Sequence, residues 1–178
     1  MKISWCRFNI YLAVALAAAA MCGCSTSPES KAKKQLSTLR LHMEVSRDAS
    51  TTSQRVPIYR ERPFMINVET MPFVNESNVS GAKVVDVVGG FALSIQFDHA
   101  GAAMLEQATT ANRGRKIAVF SQFGEELKSL RWLGAPLISR RISDGVFVFT
   151  PDANREEAEE IARGLNNVAK KTRTWIDK

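Results

Sequence analysis

The side chains best suited to covalent chemistry stand together near one end of this 178-residue chain. All three cysteines, Cys6, Cys22 and Cys24, fall within the first 24 residues, and the last two are separated only by Gly23. With no cysteine beyond Cys24, the remainder has no internal disulfide, cysteine nucleophile or cysteine metal site. The two histidines, His42 and His99, are isolated from each other and from any nucleophile. His42 falls on the polar side of a predicted strand and His99 in the first turn of a predicted helix, so both are expected at the surface. The carboxylates at Glu125-Glu126 and from Glu156 to Glu160 fall on a turn and at a helix N-terminus, where helix electrostatics account for them. No Gly-x-Ser-x-Gly elbow or P-loop is present, and Gly89-Gly90 reads as a hairpin turn, not a phosphate cradle. No nucleophile, base and stabiliser assemble. The expectation is a protein without catalytic residues, cofactor or metal.

The chemistry that remains is that of Cys24. Lys2 and Arg7 give a basic start, and Phe8 to Met21 is almost wholly apolar, too short for a bilayer-spanning helix of about 20 residues. The run Met21-Cys22-Gly23-Cys24 resembles a lipobox, in which small residues precede the cysteine that receives the lipid. Gly23 suits the position before Cys24, whereas Met21 does not suit the position before Cys22, so Cys24 is favoured over Cys22. An uncleaved anchor and an ordinary secretory signal are the alternatives. Residues 1–23 are thus expected to be a lipoprotein signal peptide and residues 24–35 a polar, turn-rich tether. Removing 23 residues, Lys2 and Arg7 among them, leaves 155 residues and takes the net charge from +6 to +4. Ser25 stands where an aspartate would retain a lipoprotein in the inner membrane of some Gram-negative bacteria, which favours the outer membrane.

A mildly basic surface suits anionic headgroups or acidic segments. Arg113, Arg115 and Lys116 cluster, as do Arg140 and Arg141, but without the interleaved aromatics of a nucleic-acid surface. Trp132, between leucines, is either a packing residue or a contact for a peptide; Trp175 beside Ile176 is read as packing the C-terminus down.

Period-two alternation at Leu39, Leu41, Met43 and Val45 predicts a first strand over 36–45. Short strands are expected over 56–59 and 64–68, then a hairpin of 83–88 with 91–97. Two registers compete there. A two-residue turn puts Asp86 with Leu93, while a three-residue loop ending at Gly90 aligns Val85 and Val87 with Phe91 and Leu93. The second keeps Asp86 off the apolar face and is preferred. Asp98 is a natural N-cap for a helix ending at Asn112-Arg113-Gly114. Strands follow over 116–121 and 145–149, with extended chain at Ala135-Pro136-Leu137-Ile138. The last helix carries Ala158, Ile161, Ala162, Leu165, Val168 and Ala169 on one face, with Asn154 and Glu157 at capping-box spacing. Strands interleaved with two helices predict an α+β fold: a ferredoxin-like sandwich of mostly antiparallel sheet with both main helices on one face.

From about Val79 to Val168 the order of motifs resembles the head part of the first periplasmic domain of SecD/SecDF, membrane components of protein export. The run comprises Phe97-Asp98, Gly101-Ala102, Leu105, Ala108-Thr109, Asn112 and Gly114-Arg115-Lys116-Ile117-Ala118-Val119. It continues with Ala135-Pro136-Leu137-Ile138, Ile142, Asp144-Gly145, Phe149-Thr150, Glu156-Glu157-Ala158 and Ile161-Ala162. Residues 122–134 are longer than the family's tight hairpin, and 151–155 are an insertion. The resemblance implies the fold and an affinity for extended polypeptide. It does not imply the gradient-driven motor, because no stretch after Met21 is long and apolar enough to span a bilayer.

The expected organisation is signal peptide 1–23, tether 24–35, strand-rich extension 36–78, head-like domain 79–172 and tail 173–178. The expected function is non-enzymatic binding of protein partners, translocase components or exported polypeptide by a lipid-tethered envelope protein facing the periplasm. Exposed edge strands, Trp132, Arg140 and Arg141 are the candidate contacts, and nucleic acid is excluded as a partner. A scaffold lipoprotein and a small-molecule or lipid-binding module are the alternatives.

Overall fold

The computed structural model describes residue 32, residues 35–46 and residues 52–176, apart from the side chains of residue 125 and residues 174–176. The expected signal peptide 1–23, Cys24 and the Trp175 side chain lie outside the described residues. Among the described residues, nine strands and two α-helices follow in the order β1 Thr38–Met43, β2 Ser53–Ile58, β3 Phe64–Glu69, β4 Val74–Asn75, β5 Val79–Val87, β6 Gly90–Phe97, α1 His99–Ala111, β7 Ile117–Phe123, β8 Ser129–Gly134, β9 Val146–Phe149 and α2 Arg155–Ile176. All strand pairing is antiparallel and distributes over three sheets, ordered β4-β1-β7-β8, β2-β3 and β5-β6-β9. The fold is α+β, as the sequence predicts.

Alternation along β1 and β7 explains the layering. Leu39, Leu41 and Met43 of β1 and Ile117, Val119 and Phe123 of β7 face one core, which they share with Leu93, Ile95 and Phe97 of β6 and Phe147 and Phe149 of β9. Both helices add to this same core, α1 through Leu105 and α2 through Ala158, Ile161, Ala162 and Leu165. Complete burial of a side chain such as Ile161 or Leu165 stabilises by roughly 1.5–3 kcal/mol. The helix ends are set as their sequence dictates. The Asp98 carboxylate accepts from the Gly101 N–H at 2.7 Å, and the Asn154 side chain accepts from the Glu157 N–H at 2.7 Å while the Asn154 N–H donates to Glu157 at 3.0 Å.

The opposite face of the β1-β7-β8 sheet is covered too, which corrects the expectation for His42. Val56, Ile58, Ile66 and Val68 of the β2-β3 hairpin pack with Ala118 and Ala135 in a second, smaller core. His42 lies beneath this hairpin, 4% exposed, with Nδ1–H donating to the Glu69 carbonyl at 2.8 Å and its ring 5.2 Å from that of Trp132. The strand has a polar side only until a distant hairpin folds over it. Burial pushes the His42 pKa below its ordinary value of 6.5, the Glu69 hydrogen bond opposing and Arg40 reinforcing the shift. The unfolded chain therefore binds the proton first as pH falls. Stability is expected to drop as pH falls below about 6.5, read as a lower urea midpoint at pH 5 than at pH 7. His42→Asn, whose amide can replace Nδ1–H, should flatten that slope. His99 is exposed, as expected.

The β5-β6 hairpin adopts neither expected register. Val87 pairs with Gly90 across a Val88-Gly89 turn, so Asp86 opposes Phe91 and Val84 opposes Leu93. Gly89, at φ +86°, supplies the left-handed position. Asp86 shares a face with Phe91 after all. It escapes burial because it lies next to the turn of the hairpin, exposed and ion-paired with Arg155.

Candidate polypeptide-binding edge

An edge strand can accept another chain only where its outward N–H and C=O groups are unpaired. The β5 edge is closed by α2. Ala82 N–H donates to Asn166 Oδ1 at 2.9 Å and Asn166 Nδ2 donates to the Ala82 carbonyl at 2.8 Å, so the amide occupies the place of a neighbouring strand. Arg173 donates to the Ser80 carbonyl on the same edge. β4 is two residues long, β2 has its donor row interrupted by Pro57, and the Leu133 carbonyl of β8 accepts from Asp152 N–H at 2.6 Å.

The outer edge of β9 is open beside a groove. Phe97 N–H donates to the Gly145 carbonyl at 3.0 Å, which fixes the phase of the β6-β9 ladder. Phe147 and Phe149 therefore bond to β6, while Val146 and Val148 turn their backbone groups outward. Asp144 Oδ1 takes the Val146 N–H at 3.1 Å. The Val146 carbonyl and both groups of Val148 have no partner among the described residues. Val148 is 49% exposed and borders a groove of about 280 Å³ whose other wall is the segment 136–144, with Ile117 also lining it.

The two arginines singled out from the sequence belong to this groove. Arg141 is ion-paired with Glu106 of α1, and Arg140 is exposed with no carboxylate partner among the described residues. Trp132 is elsewhere. It lies on the hairpin side of β8, half-buried, with its ring 5.1 Å from Phe120 and against His42, so its aromatic surface is used in packing. Leu137 and Val148 were not among the residues singled out. Exposed apolar positions in extended chain are the only sequence signal for them, and that signal is common. Among the described residues no group of three or more His, Cys, Asp or Glu could hold a metal, and no helix is long and apolar enough to cross a membrane.

A sheet edge, a groove and two helices on one core match a known architecture. The family model for the P1 head subdomain of SecDF matches residues 50–169. The chain belongs to the SecDF P1 head family. Two solved structures resemble this head domain. One, described as a membrane component SecDF that enhances protein export, is 20% identical with a TM-score of 0.53, and the match covers 82% of this chain and 69% of that one. The other, SecDF in a super-membrane-facing form, is 19% identical with a TM-score of 0.53, covering 79% of this chain and 21% of that one. The head domain thus corresponds to about a fifth of that second protein, and at these identities the likeness is one of fold. No curated protein sequence matches the chain.

Proposed function

We propose that this protein is a membrane-tethered envelope component whose head domain binds extended polypeptide, from an exported chain or a protein partner, without catalysing a reaction. The observation that carries this reading is the open edge of β9, where Val148 offers a donor and an acceptor without partners among the described residues, beside an exposed groove of mixed polar and apolar lining. Backbone pairing at such an edge is indifferent to most of the bound sequence, which is what a binder of many unfolded chains requires. Membership of a family whose solved relatives include a component that enhances protein export supports placing that binding in export. Cys24, as the lipid-bearing residue, would hold the domain at the envelope facing the periplasm, with the outer membrane favoured over the inner.

The test is Val148→Pro. Val148 N–H has no partner among the described residues, so proline at this edge position removes the outward donor without breaking a bond to β6. Affinity for an unfolded exported protein is expected to fall at least 10-fold with the melting temperature nearly unchanged. Val148→Thr, which keeps the N–H, is expected to bind as the parent does. Equal binding by the proline variant would contradict the reading.

A further inference from the structure

The groove beside β9 has a second wall with the same property. The segment after β8 continues along β7: Ile117 N–H donates to the Pro136 carbonyl at 3.0 Å and Ile138 N–H to the Arg115 carbonyl at 2.8 Å. Between them Leu137 opposes Lys116 in an isolated antiparallel bridge, so Leu137 turns its own N–H and C=O away from β7. Like Val148, it has no backbone partner among the described residues, and its side chain is 59% exposed. The segment and β9 are joined through residues 139–145. They meet where Asp152 N–H reaches the Leu133 carbonyl, and no hydrogen bond joins Leu137 to Val148 among the described residues. The groove runs as a slot between the two segments, with Leu137 on one side and Val148 on the other, their backbone groups without partners among the described residues.

We infer that an extended segment of another polypeptide inserts into this slot as a strand paired on both sides, to Val148 and to Leu137, joining the two sheets into one. This rests on the polypeptide-binding reading and sharpens it from addition at one edge to insertion between two. A segment bonded on both sides satisfies backbone groups that one-sided addition leaves to solvent. The charge of the slot gives the flanks of the occupant. Arg141 is already paired with Glu106 and the Asp144 carboxylate holds the Val146 N–H, which leaves the exposed Arg140 to attract an acidic residue next to the inserted apolar core.

The experiment uses the full chain and a fluorescent ten-residue peptide with a central Val/Ile run and Glu flanks, read by anisotropy at low salt. A second peptide has Lys flanks. Leu137→Pro and Val148→Pro are each expected to weaken the Glu-flanked peptide at least 10-fold, while Leu137→Val and Val148→Thr bind as the parent does. The Lys-flanked peptide is expected to bind several-fold more weakly, and Arg140→Gln should remove that difference. Loss with Val148→Pro alone overturns insertion and leaves one-sided addition standing, whereas no loss with either proline overturns both. Equal binding of the two peptides overturns the charge preference. Amide hydrogen exchange on the unaltered chain covers the case of a proline variant that does not fold: the peptide should protect both Leu137 and Val148, and protection of Val148 alone overturns insertion.

Discussion

Gly164→Ala is expected to destabilise the protein by about 2–3 kcal/mol, even though alanine is the better helix former by about 1 kcal/mol. Gly164 lies in the middle of α2, where the chain leading into β1 crosses the helix. A Cβ at this position would come 2.2 Å from Ser37 Oγ, 2.7 Å from Ser37 N and 2.8 Å from Leu36 C. Two of those atoms are backbone, so no rotamer change relieves the contact. The segment is also held along the helix. Asn167 Nδ2 donates to the Ala32 and Gln35 carbonyls at 2.9 Å each, Gln35 donates to Glu160 at 2.9 Å, and Arg163 donates to Gln35 at 3.0 Å. Moving the crossing chain outward stretches these bonds and the start of β1, whose Leu39 is in the main core. Steric displacement therefore outweighs helix propensity. For a domain of this size the loss corresponds to roughly 5–10 °C in melting temperature by calorimetry. An unchanged or raised Tm would show that the close crossing does not exist.

Glu157→Ala is expected to cost about as much, about 2–3 kcal/mol, because this carboxylate serves two structures at once. It completes the capping box of α2 by accepting from the Asn154 N–H, and it receives Arg131 in a bidentate pair at 2.8 and 3.0 Å. Arg60, at the tip of the β2-β3 hairpin, joins the group by donating its N–H to Asp152 at 2.9 Å and lying 3.9 Å from Glu157. Alanine would leave the Arg131 guanidinium, whose side chain is 16% exposed, without its carboxylate. Glu157→Gln keeps an acceptor for the cap and is expected to lose about half as much. The hydrogen bond from Arg131, ahead of burial, which opposes it, holds the Glu157 carboxyl below its ordinary value of 4.5. A depressed folded-state pKa contributes stability above the unfolded value and loses it as pH falls through the folded one. Denaturant titrations should therefore show stability declining below about pH 4.5, less steeply in Glu157→Gln.

These two residues mark what can and cannot be read from the sequence. The capping box was legible because it is local: an Asn, a Glu three residues on and an apolar face are all that the geometry needs. The same holds for Asp98 and for the alternating β1 and β7. Gly164 carried no such signal, since its role depends on a chain segment more than 120 residues earlier. His42 failed for the same reason, its burial being imposed by a hairpin that alternation in β1 does not register. The β5-β6 register failed locally, because neighbouring glycines allow more than one turn and Asp86 beside the hairpin turn avoids the cost expected of a buried carboxylate.

The groove shows the limit most clearly. Arg140 and Arg141 were singled out for their charge, and they do border it. What opens the groove to a peptide is the phase of two ladders, set by Phe97 N–H to Gly145 and by Ile117 N–H to Pro136. Phase leaves no trace in residue type. Trp132, the more conspicuous residue, is taken up in packing against His42 and Phe120.

The central claim is that exported polypeptide is bound at the β9 edge, and site-specific photocrosslinking in intact cells tests it most directly. A benzophenone amino acid in place of Val148 should capture many unfolded exported chains during secretion, and the same probe in place of the exposed Val88, at the β5-β6 turn, should capture few. A single fixed partner at Val148 would instead indicate a scaffold, and equal capture at both positions would contradict the account.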